Sequence, residues 1–259
     1  MEQTTHHGRT TAYRTRGDAD GDVPGLLCIH GSGGSHAAWR AQFRLADTTS
    51  VTALDLSGHG ESDDVDADPG YEALSAYVDD VVAVARAVGA RVLVGNSLGG
   101  AVALTTALER DLDLDGLVLT GTGARLAVLD DLLAWLDDDF DRAVEFLHDS
   151  DRLFHDPTDE FVEASTEVMY DAGQAVTYRD FRTCHTFDVR DRLDELSLPS
   201  VAIVGEHDQL TPPWYHEYLA ENLPDCTAVE IPGAAHLAML ERPAAFNAAV
   251  REFLDERLA

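Results

Sequence analysis

Short apolar runs alternate with stretches of helical periodicity along most of this chain, and that alternation restricts the fold more than any other feature. LLCIH (26–30) and VTALD (51–55) each have the length and content of a buried strand, and RVLVG (91–95), GLVLT (116–120), VAIVG (201–205) and AVEI (228–231) read as further strands. Pro24-Gly25 and Gly31 bound the first of them. Residues 72–88 carry apolar side chains at 74, 78, 81, 82, 85 and 88, which is helical spacing, and Gly89 is placed to cap that helix. Helices are also expected over 98–109, 213–222 and 243–257, and a polar hairpin over 1–17 turning at Gly8. Strands alternating with helices imply an α/β class with a mostly parallel sheet covered on both faces.

Residues 122–192 interrupt the alternation. LAVLDDLLAWL, FDRAVEFLH, PTDEFVEASTEVMY and YRDFRTCHTF all read as helices, with no convincing strand among them. The expected organisation is a core of 1–121 and 193–259 with a helical cap, or lid, at 122–192. The 259 residues, 45% hydrophobic, suffice for one large domain. No window approaches the roughly 18 apolar residues of a membrane span. MEQTTHHGRTTAYRTRGD has no apolar run, so no signal peptide is expected. Cys28, Cys184 and Cys226 show neither metal-ligand spacing nor a disulfide framework, which fits a reducing cytoplasm.

The charge balance is extreme. Forty-eight acids, thirty-two of them Asp, face eighteen bases, all Arg, for a net charge of −30. Self-repulsion of that size destabilises a compact state in dilute buffer. At about 1 M salt the Debye length falls to roughly 3 Å and most of the repulsion is screened. The carboxylates run the whole length of the chain rather than forming a tail. The balance resembles that of proteins from extreme halophiles, which implies a salt-rich cytoplasm. No basic patch exists to meet phosphate, so nucleic acid and anionic membranes are not expected partners. The oligomeric state is left open.

The corner between RVLVG and the next helix reads Gly95-Asn96-Ser97-Leu98-Gly99. This matches the G-x-S-x-G elbow, in which a sharp strand-to-helix turn lifts a serine hydroxyl clear of the backbone. Taken alone, the pattern also fits an ordinary turn with an exposed serine. A serine nucleophile needs a base, and the base needs an orienting acid. His236, in IPGAAHLAMLERP, and Asp208, in VGEHDQLTPP, each follow a strand, so both are expected at the carboxyl edge of the sheet. His6, His7, His148, His155, His207 and His216 have plainer readings, and His207 should point away from Asp208. An oxyanion hole requires two N–H donors. Leu98 supplies one, directly after the serine. Ser32, in the glycine-rich loop His30-Gly31-Ser32-Gly33-Gly34-Ser35, is the choice for the second, with Gly33 as runner-up.

Five separated segments then agree: HGSGGSHAAW (30–39), LDLSGHGESD (54–63), VGNSLGG (94–100), VGEHDQLTPP (204–213) and PGAAHLAMLERPAAFN (232–247). On these the chain resembles the α/β-hydrolase superfamily, with its closest look to small esterases, enol-lactonases and cofactor-free haloperoxidases. The resemblance implies an eight-stranded sheet with one antiparallel strand and a cap after strand six. It also implies a catalytic triad of Ser97, Asp208 and His236, with no cofactor and no metal. Asn96 stands where many relatives have His. Ser at 97 sets the chain apart from dehalogenases and epoxide hydrolases of this fold, which use Asp.

The expected activity is hydrolysis of a small or medium carboxylic ester or lactone through an acyl-enzyme. The pocket is expected between cap and sheet edge, near Gly31 and Gly33. Trp135, Phe140, Met169, Tyr170 and Leu237 are candidates for lining it, although each also reads as cap core. Phe181, Cys184 and Phe187 read mainly as packing, with pocket lining as the alternative. A carbon–carbon hydrolase or lyase could use the same triad, with Arg125, Arg179 or Arg182 meeting an acidic substrate. A non-catalytic ligand receptor is the third reading. The charge argument predicts a thermal midpoint clearly higher in about 3 M than in about 0.1 M KCl; equal midpoints in a melting experiment would remove the halophilic reading.

Overall fold

The computed structural model describes residues 1–18 and 23–258. Eight strands form one sheet: β1 (Glu2–His6), β2 (Arg9–Arg16), β3 (Gly25–Ile29), β4 (Val51–Leu54), β5 (Ala90–Asn96), β6 (Gly116–Thr120), β7 (Ser200–Gly205) and β8 (Cys226–Ile231). Their order is β1-β2-β4-β3-β5-β6-β7-β8. β2 runs antiparallel to both its neighbours, and the remaining pairings are parallel. The N-terminal hairpin turns through His7 and Gly8, both at positive φ.

The central strands are buried along their length except at Arg91 of β5, and their side chains alternate between two cores. Leu27, Ile29, Leu93, Leu117, Leu119 and Ala202 face one core. There they meet α1 (Tyr71–Val88), α2 (Leu98–Glu109) and α6 (Pro213–Asn222) through Tyr77, Val81, Val102 and Leu219. Leu26, Cys28, Val92, Val94, Val118 and Val201 face the other core, filled by Trp39 and by Phe246, Val250 and Phe253 of α7 (Pro243–Arg257). Apolar side chains on both faces of a strand are what a parallel sheet wrapped by helices demands. α1 ends at Gly89 in the left-handed conformation, φ 69°, so the expected cap is the observed one.

Three α-helices lie between β6 and β7: α3 (Asp130–Asp138), α4 (Phe140–Leu147) and α5 (Asp159–Thr186), followed by a 3-10 turn at Arg190–Glu195. They build a third apolar cluster from Leu132, Leu136, Val144, Leu147, Phe154 and Met169. The sequence reading placed four helices here. The last two are one continuous run, kinked at Gly173, whose φ of 82° and ψ of 164° are not helical. Residues 126–129 are not helical either, because Arg125 bridges to Asp188 and the segment follows that pairing.

Packing at the β5–α2 corner leaves no room for a side chain. A Cβ on Gly99 would stand 2.2 Å from the carbonyl oxygen of Ile29, and one on Gly95 would stand 2.3 Å from that of Gly99. Both obstacles are backbone, which cannot swing aside. Gly99→Ala is therefore expected to lower stability by about 3 kcal/mol, read as a shift in denaturant midpoint; a shift within experimental error would show that α2 can move away from β3.

Candidate active site

Ser97 is the residue between β5 and α2, and its backbone is forced to φ 55°, ψ −117°. A non-glycine residue there carries strain that only a fixed surrounding can hold. The surrounding is specific. The Ser97 N–H donates to the carbonyl of Thr120 at 3.0 Å, and the Thr122 hydroxyl donates to the carbonyl of Ser97 at 2.9 Å. Thr122 in turn donates its N–H to His216 Nε2 at 3.1 Å. Burial pushes the pKa of His216 down to about 4, so it stays a neutral acceptor. Asn96 donates to the carbonyls of Thr120 (3.3 Å) and His236 (3.4 Å), tying the corner to the loop after β8. Sequence reading assigned no role to Asn96, Thr122 or His216, since their partners are remote in the chain.

Asp208 and His236 sit after β7 and β8, and both are buried. Asp208 Oδ2 lies 2.9 Å from His236 Nδ1. The same carboxylate accepts the N–H groups of Leu210 (2.8 Å) and Thr211 (2.9 Å) and the Thr211 hydroxyl (2.8 Å). Burial alone would raise its pKa, but the charge of His236 and these hydrogen bonds outweigh burial and hold it below the usual carboxylate value. Asp208 is thus an anion with its orientation set from several sides, and it fixes the ring of His236. His236 and Ser97 line the same cavity.

The loop after β3 is held just as firmly. His30 Nδ1 contacts the Gly31 carbonyl at 2.8 Å, while Nε2 accepts the N–H of Leu56 at 3.0 Å. Gly33 adopts φ 62° and donates its N–H to Asp180 Oδ2 at 3.0 Å. That donor is therefore already engaged, which separates Gly33 from Ser32. Asp180, on α5, also accepts from Tyr77 Oη at 2.6 Å and pairs with His59 Nε2 at 2.9 Å. Arg179 beside it donates to Tyr77 Oη, Asp64 and the carbonyls of Ser57 and Val65. Burial acts against both charges of the Asp180–His59 pair. Their mutual attraction and hydrogen bonds prevail, raising the histidine pKa and lowering that of the carboxylate.

The cavity measures about 490 Å³. Gly31, Ser32, Gly33, Met169 and Leu237 line it, as do Phe181 and Cys184, whereas Phe187 belongs to the sheet core. Leu129 and Trp214 line it yet are 62% and 60% exposed, which marks its mouth. Trp135, Phe140 and Tyr170 do not line it. Phe146 does, and the Trp135 ring packs against Phe146 at 5.2 Å. Tyr170 follows Met169 on the helix and so points about 100° away; its ring meets Phe140 edge-on and its hydroxyl donates to Asp141. The basic groups that a carbon–carbon hydrolase could use are absent from the wall as well. Arg125 is half-exposed beside Asp188, Arg179 is engaged as described, and Arg182 does not reach the cavity. Among the described residues the wall holds no carboxylate and one arginine, Arg40, which sequence reading had not singled out.

A mostly parallel sheet, a strained serine after β5, and an acid and a histidine after β7 and β8 define the α/β-hydrolase class. The model of the alpha/beta hydrolase family matches residues 26–249, and the chain belongs to that family of hydrolytic enzymes. A protein provisionally named carbamate hydrolase RutD from Agrobacterium fabrum is 26% identical over 93% of this chain and 97% of its own length. The pimeloyl-[acyl-carrier protein] methyl ester esterase of Neisseria meningitidis is 28% identical over 90% of this chain and 94% of its own. A solved thermophilic esterase superposes with a TM-score of 0.87 at 31% identity, covering 99% of this chain and 98% of its own.

The buried pair sets a pH window. Asp180 stabilises the fold above its ordinary value near 3.8 and loses that contribution as pH falls through its lowered folded value. His59 contributes below about 6.5 and loses it as pH rises through its raised folded value. Asp180→Asn is expected to cost about 3 kcal/mol within that window and less on either side; a pH-independent difference in denaturant midpoint would refute the ion-pair assignment.

Proposed function

We propose that the protein is a serine hydrolase of small or medium, largely apolar carboxylic esters or lactones, acting through an acyl-enzyme. Ser97 Oγ attacks the acyl carbon while His236 accepts its proton. Asp208 holds the imidazole in the required tautomer and stabilises the imidazolium. The N–H groups of Leu98 and Ser32 receive the oxyanion. Leu98 is the first residue of α2, so its N–H has no partner within the helix. Ser32 is preferred to Gly33 because Gly33 already donates to Asp180. His236 then protonates the leaving alcohol, and water repeats the sequence on the acyl-enzyme.

The observation that carries this reading is the strained Ser97 on the wall of one apolar cavity with a His236 oriented by Asp208. The one arginine of the wall, Arg40, is exposed and stacks over Phe161, so the wall supports an uncharged acyl group, and the lack of Arg125, Arg179 and Arg182 in it weighs against the carbon–carbon hydrolase alternative. The esterase relatives support the same substrate class. In this reading residues 122–192 are a cap over a core of 1–121 and 193–259, with the substrate between them. The acidic surface supports work in a salt-rich cytoplasm.

Ser97→Ala is expected to lower kcat toward short p-nitrophenyl esters in concentrated salt by at least about 1000-fold, and a fluorophosphonate probe should label the wild type at Ser97 only. Undiminished turnover by the variant would defeat the mechanism, and an unlabelled wild type would favour a ligand receptor.

A further inference from the structure

A second cluster of reactive side chains lies outside the cavity. A carboxylate oxygen of Asp151 and one ring nitrogen each of His155 and His207 all fall within 4.8 Å of one another. His155 Nδ1 is 2.5 Å from Asp151 Oδ1. The His155 and His207 rings stack with centroids 3.6 Å apart and planes 13° from parallel. The side chains of Asp151, His155 and His207 are 27%, 33% and 35% exposed, so an ion from solvent can reach them and the rings have room to turn. The hydrolytic chemistry uses none of the three.

Their position in the fold is specific. Asp151 and His155 belong to the segment between α4 and α5, whereas His207 immediately precedes Asp208. That segment is already stitched to the loops after β7 and β8. The Asp151 carbonyl accepts the N–H of Gln209 (3.0 Å), Arg152 that of His236 (3.2 Å) and Leu153 that of Leu237 (3.0 Å). Asp151 itself is held at φ 63°, one of three non-glycine residues at positive φ among those described, and Ser97 is another. Strain at such a residue persists where surroundings require its side chain in one place.

Two imidazoles and one carboxylate are the donor set of a borderline divalent cation of the Zn²⁺ type. Hard cations such as Ca²⁺ and Mg²⁺ call for oxygen ligands instead. Glu206 Oε2, 3.6 Å from His207 Nε2, adds negative charge beside the cluster, and the net charge of −30 concentrates cations at the surface generally. We propose that Asp151, His155 and His207 bind one such cation, which clamps the segment between α4 and α5 onto the loop that carries Asp208. A cation cannot lie in both planes of two stacked rings, so binding turns one imidazole out of the stack. It also replaces the hydrogen bond between Asp151 and His155. This departs from the metal-free expectation drawn from the family resemblance, and it does not depend on the chemistry assigned to Ser97.

The test is a calorimetric titration of the chelator-treated full chain with Zn²⁺ in concentrated sodium sulfate, because chloride competes for the metal. The wild type should take up one Zn²⁺ per chain at this site, and its thermal midpoint should rise on binding. Asp151→Ala/His207→Ala should weaken that equivalent by more than about tenfold and abolish the rise in midpoint. His207→Gln, a change at a partly exposed side chain, should do the same if the double variant does not fold. His7→Ala should leave binding intact, since His6 and His7 form a close histidine pair outside this cluster. Co²⁺ should develop visible absorption bands in the wild type and not in His207→Gln. Absence of a specific equivalent, or equal binding in wild type and His207→Gln, would overturn the proposal.

Discussion

The contact on which the rest of the structure depends is the close approach of the first turn of α2 to the ends of β3 and β5. With no Cβ at Gly95 or Gly99, the helix enters directly over the sheet, at distances where any side chain would overlap backbone. The chain must then reverse at Ser97, and the positive φ there is the geometric result. The strain is local, but what contains it is not. Carbonyls and donors from β6, from the loop after β8 and from α6 all converge on this corner. A site built this way is rigid because several independent elements would have to move before the serine could relax.

A second fixed point lies on the other side of the site. Asp180 reaches from α5 to the N–H of Gly33, and its other partners come from α1 and from the loop after β4. The loop after β3 is thereby held from the helices above the cavity as well as from the sheet below. A fully buried carboxylate is costly unless its hydrogen-bonding capacity is used. Here a histidine, a tyrosine hydroxyl and a backbone amide use it. The arrangement couples the placement of the helices between β6 and β7 to the geometry of the loop that faces Ser97.

Charge and apolarity are separated sharply in this molecule. Among the described residues only Asp55, Asp80, Asp180 and Asp208 are buried acids, and no carboxylate lines the cavity. Asp208, the acid nearest the chemistry, is enclosed behind His236 and saturated with hydrogen bonds. An interior site of low polarity can therefore coexist with a strongly acidic surface, since salt screens exposed charges and leaves buried interactions largely intact.

Local pattern was enough to place the strands and helices of the sheet, the Gly89 cap, and Ser97, Asp208 and His236 at the strand ends, because each depends on residues adjacent in the chain. Buried runs, helical spacing and glycine at a steric pinch are short-range consequences of backbone geometry. The lining of the cavity was not legible in the same way. Trp135, Phe140 and Tyr170 are as apolar as Met169 and Phe146, and which of them faces inward depends on how three helices rotate against one another. Likewise, nothing near Asp180 in sequence marks it as the partner of Gly33, 147 positions away. His207 stacks on His155 for the same reason. Sequence by itself determined the fold, the order of its elements and the residues at the strand ends. Tertiary structure alone decided what lines the cavity and which buried groups pair, because those contacts form between segments with no local signal of each other.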